Sequence, residues 1–245
     1  MAHVLIPTDL SENARNAAIF AVQLFGAEGN TFTLLNAYGT PDGTGGNLVD
    51  IRPEMARASA EGLERFAMDL EEALPDHAIK YNERCEHGQL RAVIVRLEKE
   101  PDAPDVIVMG TQGATGLKRV MLGSNTAAVM QGVHTPVLAV PEQATYAAPK
   151  RIVLADDGGR VDKTTLQLLV EIARWSHAEV KIVNVVPEGR SDMEEPDGSR
   201  YDQVLGAIPH SYHRISGTEV MTALHDLADQ SEAGLVVVTH RERGA

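Results

Sequence analysis

An α/β fold with parallel strands, built twice in one chain, is what this sequence predicts, and three observations predict it. Short apolar runs alternate with segments of helical period, the pattern of a parallel sheet covered on both faces. The second half opens Ile152-Val-Leu-Ala-Asp-Asp157, echoing Val4-Leu-Ile-Pro-Thr-Asp9 near the start. A glycine pattern, Gly110-Thr-Gln-Gly113 followed after nine residues by Gly123-Ser124, stands between an apolar run and a helical one.

Taken in order, a strand is predicted at about 3–7, a helix at 11–25 and a strand at 31–37. The glycine-rich loop Gly39 to Gly46 leads into a long helix whose stripe is Leu63, Phe66, Ala67, Leu70 and Leu74. A strand near 77–83 and a helix near 89–99, with Leu90, Val93, Ile94 and Leu97 on one face, precede the strand Val106 to Met109. The next helix is expected from Ser124 to His134, with Ser124 at its N-cap, apolar positions at Val129 and Val133 and a stop between Gly132 and Pro136. Pro136 to Val140 is the last strand, and the aperiodic, Ala- and Pro-rich segment Pro141 to Lys150 joins the copies. Domains are therefore placed at 1–141 and 150–245.

The second copy follows the same plan in reduced form. Pro187 to Arg200 is polar and punctuated by Pro and Gly, leaving little room for the long second helix. Val220, Ala223, Leu224 and Leu227 repeat the later helical face, and Leu235 to Val238 the strand after it. His240 and Arg243 occupy the places of Gly110 and Gly113, and the sequence ends at Ala245. The expectation is a second copy without a phosphate loop, last helix or last strand.

A length of 245 residues suits one large core or two ordinary ones. The net charge of −13 disfavours nucleic acid and anionic membrane, both of which call for a basic surface. The single cysteine, Cys85, cannot form an intrachain disulfide. No apolar run reaches the roughly 18 residues of a spanning helix, and no signal-like segment opens the chain, so no membrane insertion and a cytoplasmic location are expected.

The glycine pattern carries a mechanism. A helix N-terminus leaves backbone N–H groups unpaired and holds partial positive charge, so glycines that admit close approach turn it into a phosphate cradle. Its position at a strand's carboxyl end is where open α/β sheets bind ligands. Neither G-x-x-x-x-G-K-[ST] nor G-x-G-x-x-G at the start of a helix occurs, so neither a P-loop nor a standard dinucleotide motif is present.

On these residues the chain resembles the universal stress proteins, whose nucleotide-binding members carry G-x2-G-x9-G-[ST]. Gly110, Gly113, Gly123 and Ser124 match that motif position for position, and His3-Val-Leu-Ile-Pro-Thr-Asp9-Leu-Ser11 is similar to the family's first strand and turn. The resemblance implies Rossmann-like domains of the adenine nucleotide alpha hydrolase type, with an open five-stranded sheet of order 3-2-1-4-5 in the first and an incomplete second copy. It implies an adenine nucleotide, ATP, ADP or AMP, as the ligand, with Pro7 and Thr8 in the first-strand turn, Asp9 on the ribose, backbone contacts toward adenine from Thr8 and Ala37, and Met109 lining the site.

Asp9 also has a plain alternative, as a turn-former or helix cap. Ser124, Asn125 and Thr126 stand in the first helical turn, where donors point at an anion. Lys118 and Arg119 either neutralise phosphate or are solvated, and the roomy loop favours solvation. His210 and His213 fall on opposite faces of a strand; Cys85 and His87 lack two further ligands; His225 lies off its helix's apolar stripe. No metal site is assigned, although Mg2+ can enter with ATP. No catalytic triad and no phosphoryl-transfer machinery is visible, so any hydrolysis should be slow. The expected function is a cytosolic, ATP-binding stress or regulatory factor; a protein-interaction module with incidental nucleotide, and a slow ATPase, are the alternatives. A homodimer is expected through the apolar edge Val137-Leu-Ala-Val140, and the client protein is unknown.

Overall fold

The computed structural model describes residues 2–39, 52–111, 123–159, 166–186, 199–216 and 220–238. Gly113, Lys118, Arg119, His240 and Arg243, the loop Gly39 to Gly46 beyond its first residue, and most of Pro187 to Arg200 lie outside them. The chain divides into two compact units, Met1–Tyr146 and Ala147–Ala245.

Unit 1 contains β1 (His3–Pro7), α1 (Glu12–Phe25), β2 (Thr31–Tyr38), α2 (Arg52–Ala73), β3 (Tyr81–His87), α3 (Leu90–Leu97), β4 (Val106–Gly110), α4 (Ser124–Gly132) and β5 (Val137–Val140). The strands are all parallel and ordered β3-β2-β1-β4-β5, the order expected of the family. The pleat sends alternate residues to opposite faces. Leu5, Leu35, Ile107 and Met109 therefore share one face, where they pack with Val93, Ile94 and Leu97 of α3 and Val129 of α4. The intervening Val4, Ile6, Phe32, Leu34, Val106 and Val108 are also buried. Continuous apolar strands follow from this double covering, since neither face meets water.

Each helix has a local cause. Ser11 caps α1, its hydroxyl accepting the Ala14 N–H at 3.2 Å, and the small residues Ala14, Ala17, Ala18 and Ala21 form its buried side. The predicted stripe of α2 is buried throughout and is extended toward the N-terminus by Ser59 and Gly62.

Three expectations need correction. The third strand is Tyr81–His87 rather than 77–83. Its residues are mostly polar because it is a sheet edge, where Arg84 pairs with Glu86 and Glu100, and Arg96 with Glu86, so the strand carries ions rather than an apolar signal. Gly123, not Ser124, is the cap residue of α4, and the helix ends at Gly132 rather than His134. Val220 is exposed, so the buried side of its helix begins a turn later, at Leu224 and Ala228, with Leu227 partly buried against them.

Unit 2 contains β6 (Arg151–Asp156), α5 (Gln167–Ser176), β7 (Glu179–Val186), α6 (Ser199–Leu205), β8 (His210–Ser216), α7 (Val220–Gln230) and β9 (Leu235–Val237). Its parallel sheet runs β8-β7-β6-β9, which repeats the first four positions of unit 1 and resembles a partial second domain. The packing repeats as well: Val153 and Val183 meet Leu224 and Ala228, as Leu5 and Leu35 meet the α3 face.

Candidate functional site

The site lies where β1 and β4 stop side by side. Val4 is paired with Val106 and Leu5 with Ile107, so by register the end of β1 at Pro7 stands beside Met109, one residue before β4 ends at Gly110. β2 continues past the end of β1: Pro7 opposes Leu35, whereas Ala37 and Tyr38 pair only with β3. The Leu35 carbonyl accepts the Thr8 N–H at 2.8 Å. Backbone groups two residues apart on a strand point the same way, so Ala37 turns its N–H and C=O into the gap beyond β1.

Around this gap the sequence-predicted residues take distinct positions. Pro7 and Thr8 are buried, and Asp9 is exposed. The backbone of Thr8 is already engaged, its N–H with Leu35 and its carbonyl with the Asn36 amide at 2.8 Å. Asp9 performs the turn-forming role, one carboxylate oxygen accepting the Ser11 N–H at 3.1 Å, while the side chain stays at the surface. Met109 is buried in the cluster with α3 and α4, and Ala37 is partly buried against the same cluster. Ser124 and Asn125 are exposed in the first turn of α4 and Thr126 is buried, its hydroxyl donating to the Gly110 carbonyl at 2.9 Å. The first intrahelical bond of α4 is Ala127 N–H to Gly123 carbonyl, so the N–H groups of Ser124, Asn125 and Thr126 precede the helical ladder. Gly113 lies outside the described residues.

The structure adds residues that the sequence reading missed. A Cβ on Gly110 would come within 2.6 Å of the Asn13 side-chain amide, which lies flat against this glycine. Gly110 is thus required by α1 packing as well as by any close ligand. Among the described residues, the buried Asn13 Oδ1 and Thr111 Oγ1 find no hydrogen-bond partner. Leu10 has φ of 66°, a left-handed backbone that costs a side-chain-bearing residue of order 1–3 kcal/mol. The Thr8 hydroxyl accepts the Leu10 N–H at 2.9 Å within the same turn.

Unit 2 rebuilds this turn with different chemistry. Asp156 and Asp157 accept the N–H groups of Gly158 and Gly159, as Thr8 and Asp9 accept those of Leu10 and Ser11. The Asn184 amide donates to the Asp156 carbonyl, as Asn36 does to Thr8. Asp156 stands where unit 1 has a threonine, and its carboxylate also takes the Arg200 guanidinium and the hydroxyls of Tyr201 and Tyr212. Burial and the Asp156 carboxylate both push the Tyr201 and Tyr212 hydroxyls well above the usual phenol range. Aligning Val4–Asp9 with Ile152–Asp157 carries the one signal for this difference, a buried acid in place of a hydroxyl. Among the described residues no group of His, Cys, Asp and Glu could hold a metal ion, and no helix is long and apolar enough to cross a membrane.

A doubly covered parallel sheet, with a glycine-led helix start against the carboxyl end of its central strand β4, is the arrangement of α/β proteins that take ligands at this rim. The model of the universal stress protein family matches residues 1–141, and the chain belongs to that family. A universal stress protein of Methanocaldococcus jannaschii is 28% identical over 144 residues, covering 56% of this chain and 80% of its own. A universal stress protein from Archaeoglobus fulgidus shares the fold over 100% of this chain and 87% of its own, with a TM-score of 0.73 and 21% identity. The KdpD sensor protein of Mycobacterium tuberculosis is 31% identical over 96 residues, 39% of this chain, and the match spans only 11% of that sensor's length.

Proposed function

We propose that unit 1 binds one adenine nucleotide, ATP or its di- or monophosphate, and that the protein serves as a nucleotide-responsive stress or regulatory factor in the cytoplasm. The single observation that carries this reading is the G-x2-G-x9-G-[ST] pattern whose first glycine ends β4, beside the Asp9 turn, and whose last residues open α4. In this reading the Asp9 carboxylate accepts from ribose hydroxyls, the Ala37 backbone faces adenine, and Met109 lines the pocket. The N–H groups of Gly123 to Thr126, together with Gly113, meet the phosphates, where the helix terminus favours negative charge. The orphan Oδ1 of Asn13 supports a ligand that brings donors, since a buried unpaired acceptor is costly.

Unit 2 is read as a tandem copy, with limits of 150–245 against 1–141 for the first, that binds no nucleotide. Its Asp156 carboxylate is taken up within the unit by the Gly158 N–H and by the side chains of Arg200, Tyr201 and Tyr212. Pairing of two chains through β5 completes the proposal. Chromatographic identification of the nucleotide released from the purified protein, followed by calorimetry with ATP and magnesium, tests the reading. One adenine nucleotide per chain is expected; two equivalent sites, or none, would overturn it.

A further inference from the structure

The left-handed turn at Leu10 is held from outside. Its Cδ1 lies only 2.5 Å from where a Cβ of Gly62 would stand, so the side chain reaches into the notch that this glycine leaves on α2. Three residues earlier on the same helix, the buried Ser59 hydroxyl donates to Asn36 Oδ1 at 2.7 Å, and the Asn36 amide donates to the Thr8 carbonyl. α2 therefore reaches the β1 turn on both sides of Asp9, directly at Leu10 and through Asn36 at Thr8. Unit 2 shows the same need met differently. Gly158, with φ of 80°, replaces Leu10, and Arg200 of α6 reaches the carbonyls of Gly158 and Gly159, both at 2.8 Å. In each unit the second helix clamps the same turn, by an apolar plug in one and a guanidinium in the other.

We infer that Leu10 is a positioning residue of the candidate site: seated over Gly62, it holds Asp9 in its binding geometry, so that nucleotide affinity depends on how α2 is docked. This rests on the nucleotide reading of unit 1. The Leu10 backbone alone would relax, since an L side chain is disfavoured at positive φ. The plug is the terminal atom of a side chain that is 39% exposed, so displacing it frees the turn without emptying the core.

The test compares Gly62→Ala, Leu10→Ala and the size-swapped pair Leu10→Ala with Gly62→Leu, in the full chain. Magnesium-ATP affinity, thermal midpoint and amide hydrogen exchange at position 10 and at Ser11 are measured for each. Either single change should weaken ATP about fivefold or more and speed exchange at both amides, with the thermal midpoint little changed. The swapped pair, which refills the notch from the helix side, should recover affinity to within about threefold of wild type. Unchanged exchange and affinity in Gly62→Ala, or losses that simply add in the pair, would overturn the inference. If the wild type binds no ATP while exchange responds as described, the nucleotide reading falls and the clamp stands.

Discussion

Asp9 and Asp157 occupy equivalent turns and make equivalent bonds to the N–H two residues on, yet the residue before each differs. Thr8 is a neutral hydroxyl beside an open gap, whereas Asp156 is a buried carboxylate consumed by Arg200, Tyr201 and Tyr212. A charge so placed belongs to the fold: leaving it without its cation costs about 3–5 kcal/mol. Asp9→Ala should therefore weaken ATP tenfold or more, as hydrogen bonds to a charged acceptor contribute about 1.5–3 kcal/mol. Asp157→Ala should leave ATP affinity unchanged. Isothermal titration of both variants checks this, and equal losses would mean that the site has been assigned to the wrong unit.

Elements show how neighbouring strands and helices depend on single contacts. His210 opens β8 with both ring nitrogens facing acceptors, the Ile208 carbonyl at 2.7 Å and Asp202 of α6 at 2.8 Å. Only the imidazolium donates to both, and the Ile208 carbonyl first, then Asp202, raise its pKa above the ordinary 6.5. A raised folded-state value means that this contribution is complete below about pH 6.5 and is lost as pH rises through the shifted value. Thermal midpoints followed from pH 5.5 to 8.5 should fall across that window in the wild type, and the fall should shrink in His210→Gln.

β5 is the outer strand of the first sheet, and its parity decides a question that sequence leaves open. The Pro136 and Val140 carbonyls accept from β4, at Ile107 and Thr111. Even-numbered residues thus face β4, and the N–H groups of Val137 and Ala139 face outward. If two chains pair along this edge, Ala139→Pro should shift the protein toward monomer by light scattering, because it removes an outward donor. Leu138→Pro should instead destabilise the sheet itself. A wild type that is monomeric across micromolar concentrations would end the pairing proposal.

For the whole molecule, the proposal of a single site in unit 1 fixes the response to expect. A ligand that binds only the folded state stabilises it by about 2.7 kcal/mol at a hundredfold excess over Kd. ATP should raise the melting transition that reports unit 1, through protection of Leu5, Leu35 and Ile107 in its core. The transition reporting Val153, Val183 and Leu224 should not move directly with ATP. Hydrogen exchange with and without ATP separates the two, and direct protection of both cores would contradict a single site.

What the sequence by itself determined is what local chemistry encodes. Alternating periods implied a parallel sheet, the α2 stripe marked its buried side, and the glycine spacing with the His3–Ser11 turn identified the family and the rim of the candidate site. The polar edge strand β3 was misplaced because its stability comes from ion pairs with α3 and its end, not from apolar alternation. Only the tertiary structure decided which side chains support that rim. Leu10 meets Gly62, Asn13 lies on Gly110, and Arg200 reaches Asp156, each across more than forty residues of chain. A left-handed leucine, a glycine kept small by a neighbouring amide and a buried acid matched to a distant arginine leave no periodic trace, since each is fixed by packing between elements rather than by the residues beside it.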